Sequence, residues 1–130
     1  MSQEREGACF CSRCGRTADP ETAHRVCPAC GLGMLLWCRE DELPGPAFAV
    51  VGHDLQVKAV SEAAEAMFGD ELPDPESELA VAVRRASVRR MTAPQPVRAG
   101  SLSFKVGTCG PPRAALVSVQ EPLHRLRKAR

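Results

Sequence analysis

Two short stretches constrain this chain more than any others: Cys11-Ser12-Arg13-Cys14-Gly15 and Cys27-Pro28-Ala29-Cys30-Gly31. In each, two residues separate the cysteines and a glycine follows. That spacing lets both thiolates of one tight turn point at a single ion. The glycine tolerates the positive φ that folds the next amides back toward sulfur. Two such knuckles, twelve residues apart, offer four thiolates, which is the tetrahedral set of a structural zinc ion. The spacing therefore predicts one Zn2+ held by Cys11, Cys14, Cys27 and Cys30. A redox pair, disulfides and unliganded thiols are the competing readings of the same cysteines.

Three cysteines lie outside the frame. Cys9 is an alternative to Cys11 as a ligand and His24 is an alternative to a thiolate, but the repeated C-x-x-C-G frame favours the four above. Cys9 then reads as a spare thiol and Cys38 as a buried one. Around the knuckles, residues 9–11 lead in, residues 17–22 with Asp19-Pro20 read as a turn, His24-Arg25-Val26 as a short strand, and residues 32–37 as an apolar strand. This is the layout of a zinc ribbon, in which the ion stands in for a core the module is too small to build. Residues 39–46, charged and then rich in Pro and Gly, read as a linker.

Composition sets the wider bounds. At 130 residues, 44% hydrophobic and 25% charged, the chain is globular. The start is charged and no apolar run nears 18 residues, so neither a signal peptide nor a membrane span is expected. Seven cysteines, four of them in knuckles, fit metal in a reducing cytoplasm. The net charge of +1 conceals a division. Residues 1–78 carry 6 Lys+Arg against 15 Asp+Glu, and residues 79–130 carry 11 against 1. The basic half points to nucleic acid if taken alone. The simpler reading is that the halves neutralise each other, within one particle or across a dimer. With no Tyr and a single Trp, Trp37, stacking surfaces for single-stranded nucleic acid are scarce.

After residue 46 the pattern changes. Residues 47–51 (AFAVV) form a buried strand, Gly52-His53-Asp54 a turn, and residues 55–60 (LQVKAV) a half-exposed strand. A helix is expected from an N-cap at Ser61 to a stop at Gly69, carrying Ala63, Ala64, Met67 and Phe68. Residues 70–77, acidic and containing Pro73 and Pro75, are irregular. Residues 78–91 form the longest helix, with Leu79, Ala82, Val83 and Ala86 packed and Arg84, Arg85, Arg89 and Arg90 mostly solvated. Residues 97–106 alternate as one bent strand or two, with Gly100 permitting the bend. Residues 107–112 are a turn and 113–120 the last strand. Residues 121–130 are a basic tail. The domains expected are thus 1–45, ribbon and linker; 46–120, a sheet-and-helix body; and 121–130, the tail.

The stretch 47–69 resembles the opening of a PAS domain. A hairpin is followed by a capping Ser61, then Ala63-Ala64-Glu65, the apolar pair Met67-Phe68, and Gly69. The resemblance is close over these residues and topological over 70–120. It implies an α+β fold, a small zinc ribbon followed by an antiparallel β-sheet of about five strands with helices on one face. PAS domains bind small ligands between sheet and helices or serve as dimerisation modules. The resemblance places Phe48, Val50, Met67, Phe68, Val83, Phe104 and Leu116 as inward candidates for such a pocket. The same residues could simply fill the core. Flavin and haem are both disfavoured. No Asn-Cys-Arg-Phe-type motif occurs, and the long helix carries no histidine.

Nothing points to catalysis. His24, His53 and His124 lie in three separate segments, there is no phosphate-cradling loop, and four thiolates leave zinc no open position for water. The expected function is a non-enzymatic cytoplasmic regulator, acting through contacts with an as yet unidentified protein partner and as a homodimer, with a small-molecule ligand as an option. The alternatives are a nucleic-acid-binding regulator, and a redox switch in which Cys9, Cys38 or Cys109 reacts and zinc is released.

Overall fold

The computed structural model describes residues 7–19, 21, 25–72, 74–89, 93–99, 101–110 and 113–120. The charged start, His24, Gly100 and the basic tail lie outside them. The fold is α+β and mostly β: one three-stranded sheet, one five-stranded sheet and one α-helix. No helix among the described residues is long and apolar enough to cross a membrane.

The first sheet is built around the knuckles. Strand β1 (Gly7–Cys11) pairs antiparallel with β2 (Thr17–Ala18) on one side and β3 (Leu35–Arg39) on the other. Residues 17–18, expected in a turn, are thus the short edge strand. The apolar strand starts three residues later than its sequence suggests. Leu32 stays exposed, and Met34 forms only an isolated bridge to Val26. Gly7 lies flat against the indole of Trp37, where any Cβ would collide with the ring.

The second sheet holds β4 (Phe48–Val51), β5 (Val57–Val60), β6 (Gln95–Ala99), β7 (Leu102–Cys109) and β8 (Ala114–Gln120). Their order is β5-β4-β8-β7-β6, all antiparallel, with the first and last strands as neighbours at the centre. The alternating stretch after the helix is therefore two strands. The second of them runs on to Cys109, through residues expected in a turn. Pro96, which cannot donate to a ladder, is accommodated because β6 is an edge strand.

The long helix, α1 (Glu78–Val88), begins as its sequence predicts. Ser77 caps it by accepting from the Ala80 amide at 3.1 Å. Leu79, Ala82, Val83 and Ala86 are buried against the sheet. The shorter helix expected after Ser61 does not form. Only a 3-10 turn over Glu62–Ala64 is present, and Met67 is 49% exposed. The Ser61 hydroxyl does not cap that turn. It accepts from the Phe48 amide at 3.0 Å, so it serves the start of β4 instead.

Strand alternation gives the five-stranded sheet two apolar faces. Ala49, Val51, Val97, Phe104, Val106, Ala115 and Val117 pack under α1. Phe48, Val50, Cys109, Ala114 and Leu116 point the other way, into a cluster with Phe10 and Cys38 of the first sheet. The rings of Phe10 and Phe48 meet edge to face, with centroids 5.4 Å apart. Such a pair adds about 0.5–1.5 kcal/mol beyond its burial. The ribbon therefore lies on the sheet face opposite the helix.

The stretch 39–46, expected as a linker, is part of this junction. Glu40–Glu42 is a 3-10 turn that buries Glu42. The Glu42 carboxylate accepts from the amides of Arg39 (3.2 Å) and Thr108 (3.1 Å). Gly107 leaves it room: a Cβ there would come within 2.9 Å of Glu42. Lys105 Nζ donates to the carbonyls of Asp41 and Leu43.

A candidate four-cysteine metal centre

The two knuckles converge. The Sγ atoms of Cys11, Cys14, Cys27 and Cys30 all lie within 4.8 Å of one another. The Cys11–Cys30 separation is 3.6 Å and the Cys14–Cys27 separation 3.9 Å. A tetrahedron with metal–sulfur bonds of about 2.3 Å has edges of about 3.8 Å. The donor set and its dimensions therefore fit one metal ion in a closed tetrahedral site.

Local backbone chemistry produces this geometry. Gly15 at φ +81° and Gly31 at φ +72° take the left-handed conformation after each pair. Their amides reach back to the carbonyls of Cys11 (3.0 Å) and Cys27 (2.9 Å). In the first knuckle the amides of Arg13 and Cys14 both point at Cys11 Sγ, at 3.3 Å. Such amides stabilise a thiolate. Gly33, between the second knuckle and β3, has no space for a side chain. A Cβ would fall on Cys11 Sγ and 2.8 Å from the Arg13 amide nitrogen.

The four thiols are not electrostatically equal. Amides of Leu32 and Gly33 pull Cys30 down to about 6. Those of Cys30 and Ala29 lower Cys27. At Cys14 the Arg16 amide pulls down, but burial and the three neighbouring sulfurs prevail and push it up to about 11. The arrangement thus mixes thiols that ionise more readily with one that is harder to ionise and gives up its proton on metal binding.

The first knuckle is anchored to the body. The Arg13 guanidinium pairs with Glu65, and the Arg13 carbonyl accepts from the Glu62 amide at 3.2 Å. The second knuckle presents Val26, Leu32 and Met34 outward, with Leu32 74% exposed.

The remaining site candidates separate. Cys9 is buried beside the four-cysteine cluster, while Cys38 and Cys109 are buried in the ribbon–sheet cluster. His53 lies exposed in the β4–β5 turn. The seven residues proposed as pocket lining do not share a space. Phe68, Val83 and Phe104 are on the helix side of the sheet, Phe48, Val50 and Leu116 on the ribbon side, and Met67 is exposed. That β4 and β8 are strands was legible in the sequence. Which parity faced the helix was not, because both parities are apolar when both faces are covered. Glu42 escaped sequence reasoning altogether, since an acid in a run of acids reads as solvated.

Fold and site together define an α+β protein in which a four-cysteine, metal-competent ribbon covers one face of an antiparallel sheet and a helix covers the other. No family model matches the chain, and neither curated proteins nor solved structures yield a match.

Proposed function

We propose that this is a non-enzymatic regulatory protein of the cytoplasm, in which a structural zinc ribbon is docked on a PAS-like body and signals through protein–protein contacts, as a homodimer. The observation that carries it is the closed sulfur tetrahedron. Four thiolates complete the coordination of zinc and leave no position for an activated water, so the ion's role is to hold the ribbon together. The five-stranded antiparallel sheet with a helix on one face agrees with what the PAS resemblance of residues 47–69 implies. Packing of the pocket candidates into two separate cores favours contacts over a small-molecule ligand. Val26, Leu32 and Met34 are exposed apolar side chains in and beside the second knuckle, of the kind partner surfaces use.

Native mass spectrometry of the purified chain tests this reading. The expected species is a dimer with one zinc per chain and no retained small molecule. A strict monomer removes the dimer, a co-purified ligand shifts the body from contact module to sensor, and metal-free protein removes the ribbon's zinc. Binding to DNA or RNA that falls steeply with salt would support the nucleic-acid alternative instead.

A further inference from the structure

We propose that Cys38 and Cys109 are a second, metal-independent cysteine site: an oxidisable pair that closes as a disulfide and staples the ribbon to the sheet. The placement follows from the register between β3 and β7. Trp37 and Gly110 form a bridge with both hydrogen bonds made, Trp37 amide to Gly110 carbonyl at 2.5 Å and the reverse at 2.9 Å. Two residues along, the amides of Arg39 and Thr108 are joined through the two oxygens of the Glu42 carboxylate. Continued by one residue, the register of that bridge sets Cys38 and Cys109 between these two ties, across from each other. They sit in the same buried cluster with Phe10, Phe48, Ala114 and Leu116. Flanking a doubly bonded pair, theirs is the non-hydrogen-bonded position, where opposed Cα atoms stand about 4.5 Å apart. A disulfide accepts Cα separations of about 4.4–6.8 Å. Cys9 cannot take either place. Its register partners are Trp37 and Ala18, and it packs on the metal side.

The chemistry is thiol–disulfide exchange with a low-molecular-weight disulfide as oxidant. Local opening of the ribbon–sheet junction exposes one of the two buried cysteines, whose thiolate attacks the oxidant, forming a mixed disulfide and releasing one small thiol. The second attacks the protein sulfur of that mixed disulfide, forming the Cys38–Cys109 bond and releasing the other. Each protein sulfur gives up one electron. The oxidant takes both, and the two cysteine protons leave with the released thiols or to water. The bond joins the ribbon to the body across a long loop, so the ribbon stays on the sheet even without its metal. Oxidation at Cys38 and Cys109 thereby has a consequence opposite to zinc release.

The test uses full-length zinc-loaded protein equilibrated with glutathione buffers of rising oxidised fraction, then acid-quenched and digested without reduction. The expected result is a Cys38–Cys109 linked peptide, an intact mass lower by two hydrogens, unchanged zinc content, and a higher melting temperature that dithiothreitol reverses. A chelator should then expose apolar surface to a reporter dye in the reduced protein and not in the oxidised one. The Cys109→Ala variant should keep its zinc and lose the oxidation-dependent rise. Should that variant not fold, the wild-type peptide map decides alone. Links among knuckle cysteines, zinc loss preceding any Cys38–Cys109 link, glutathione adducts without an internal bond, or unreacted thiols throughout would each overturn the proposal.

Discussion

At the scale of single residues, glycines and serines separate conformational from steric roles. Gly31 has φ +72° but open space where a Cβ would go, whereas Gly33 has no room at all. Gly31→Ala should cost about 1 kcal/mol, the penalty of left-handed backbone. Gly33→Ala, which drives a methyl into Cys11 Sγ, should cost about 1–3 kcal/mol and weaken metal retention. Thermal unfolding alongside chelator competition distinguishes the two, and equal metal affinities would refute the steric argument. Two buried serines should respond with opposite sign. Ser61 Oγ accepts the buried Phe48 amide, so Ser61→Ala should destabilise by about 1–3 kcal/mol. Ser118 Oγ is buried with no hydrogen-bond partner among the described residues, so Ser118→Ala should be neutral or stabilising. Denaturant titration of both variants reads the difference directly.

Elements show how far local signals reach. The knuckles formed where their spacing placed them, because C-x-x-C-G encodes its own turn through backbone contacts within five residues. The helix at 78 was equally local: its packed face was legible in the sequence, and the structure adds the Ser77 cap. The turn after Ser61 was not. Its cap residue was taken by the neighbouring strand, a non-local contact that a propensity argument cannot weigh. The β4–β5 hairpin offers a pH test. Asp54 is held below the usual carboxylate range chiefly by the Gln56 amide, with help from Lys58. A carboxylate lowered on folding contributes its stability above its ordinary value, about 3.9, and loses it as pH falls through the lower folded value. The stability difference between wild type and Asp54→Ala should therefore be constant near neutrality and shrink to nothing in acid. A difference that persisted in acid would rule out the charge as its source.

For the molecule as a whole, the decisive fact is that the sheet is covered on both faces. Phe48, Val50, Ala114 and Leu116 are buried only because Phe10, Leu36 and Leu43 lie over them. Stripping the metal from the reduced protein should loosen the ribbon and expose that face. The expected signs are binding of a hydrophobic dye and changed fluorescence of Trp37, the sole tryptophan, which lies against Gly7 and is bonded to Gly110. The helix and five-stranded sheet should keep their far-UV signature. Silent Trp37 fluorescence on chelation would mean that the ribbon holds its place without metal. By itself the sequence determined the four converging cysteines, the long helix with its packed face and the alternation of 97–106, since each is written in contacts a few residues long. Only the tertiary structure decided that 39–46 is a junction instead of a linker, that Glu42 is buried there, and that Cys38 and Cys109 share one buried cluster. Those outcomes depend on which of two apolar sheet faces each module covers, and alternation with a period of two is the same for either choice.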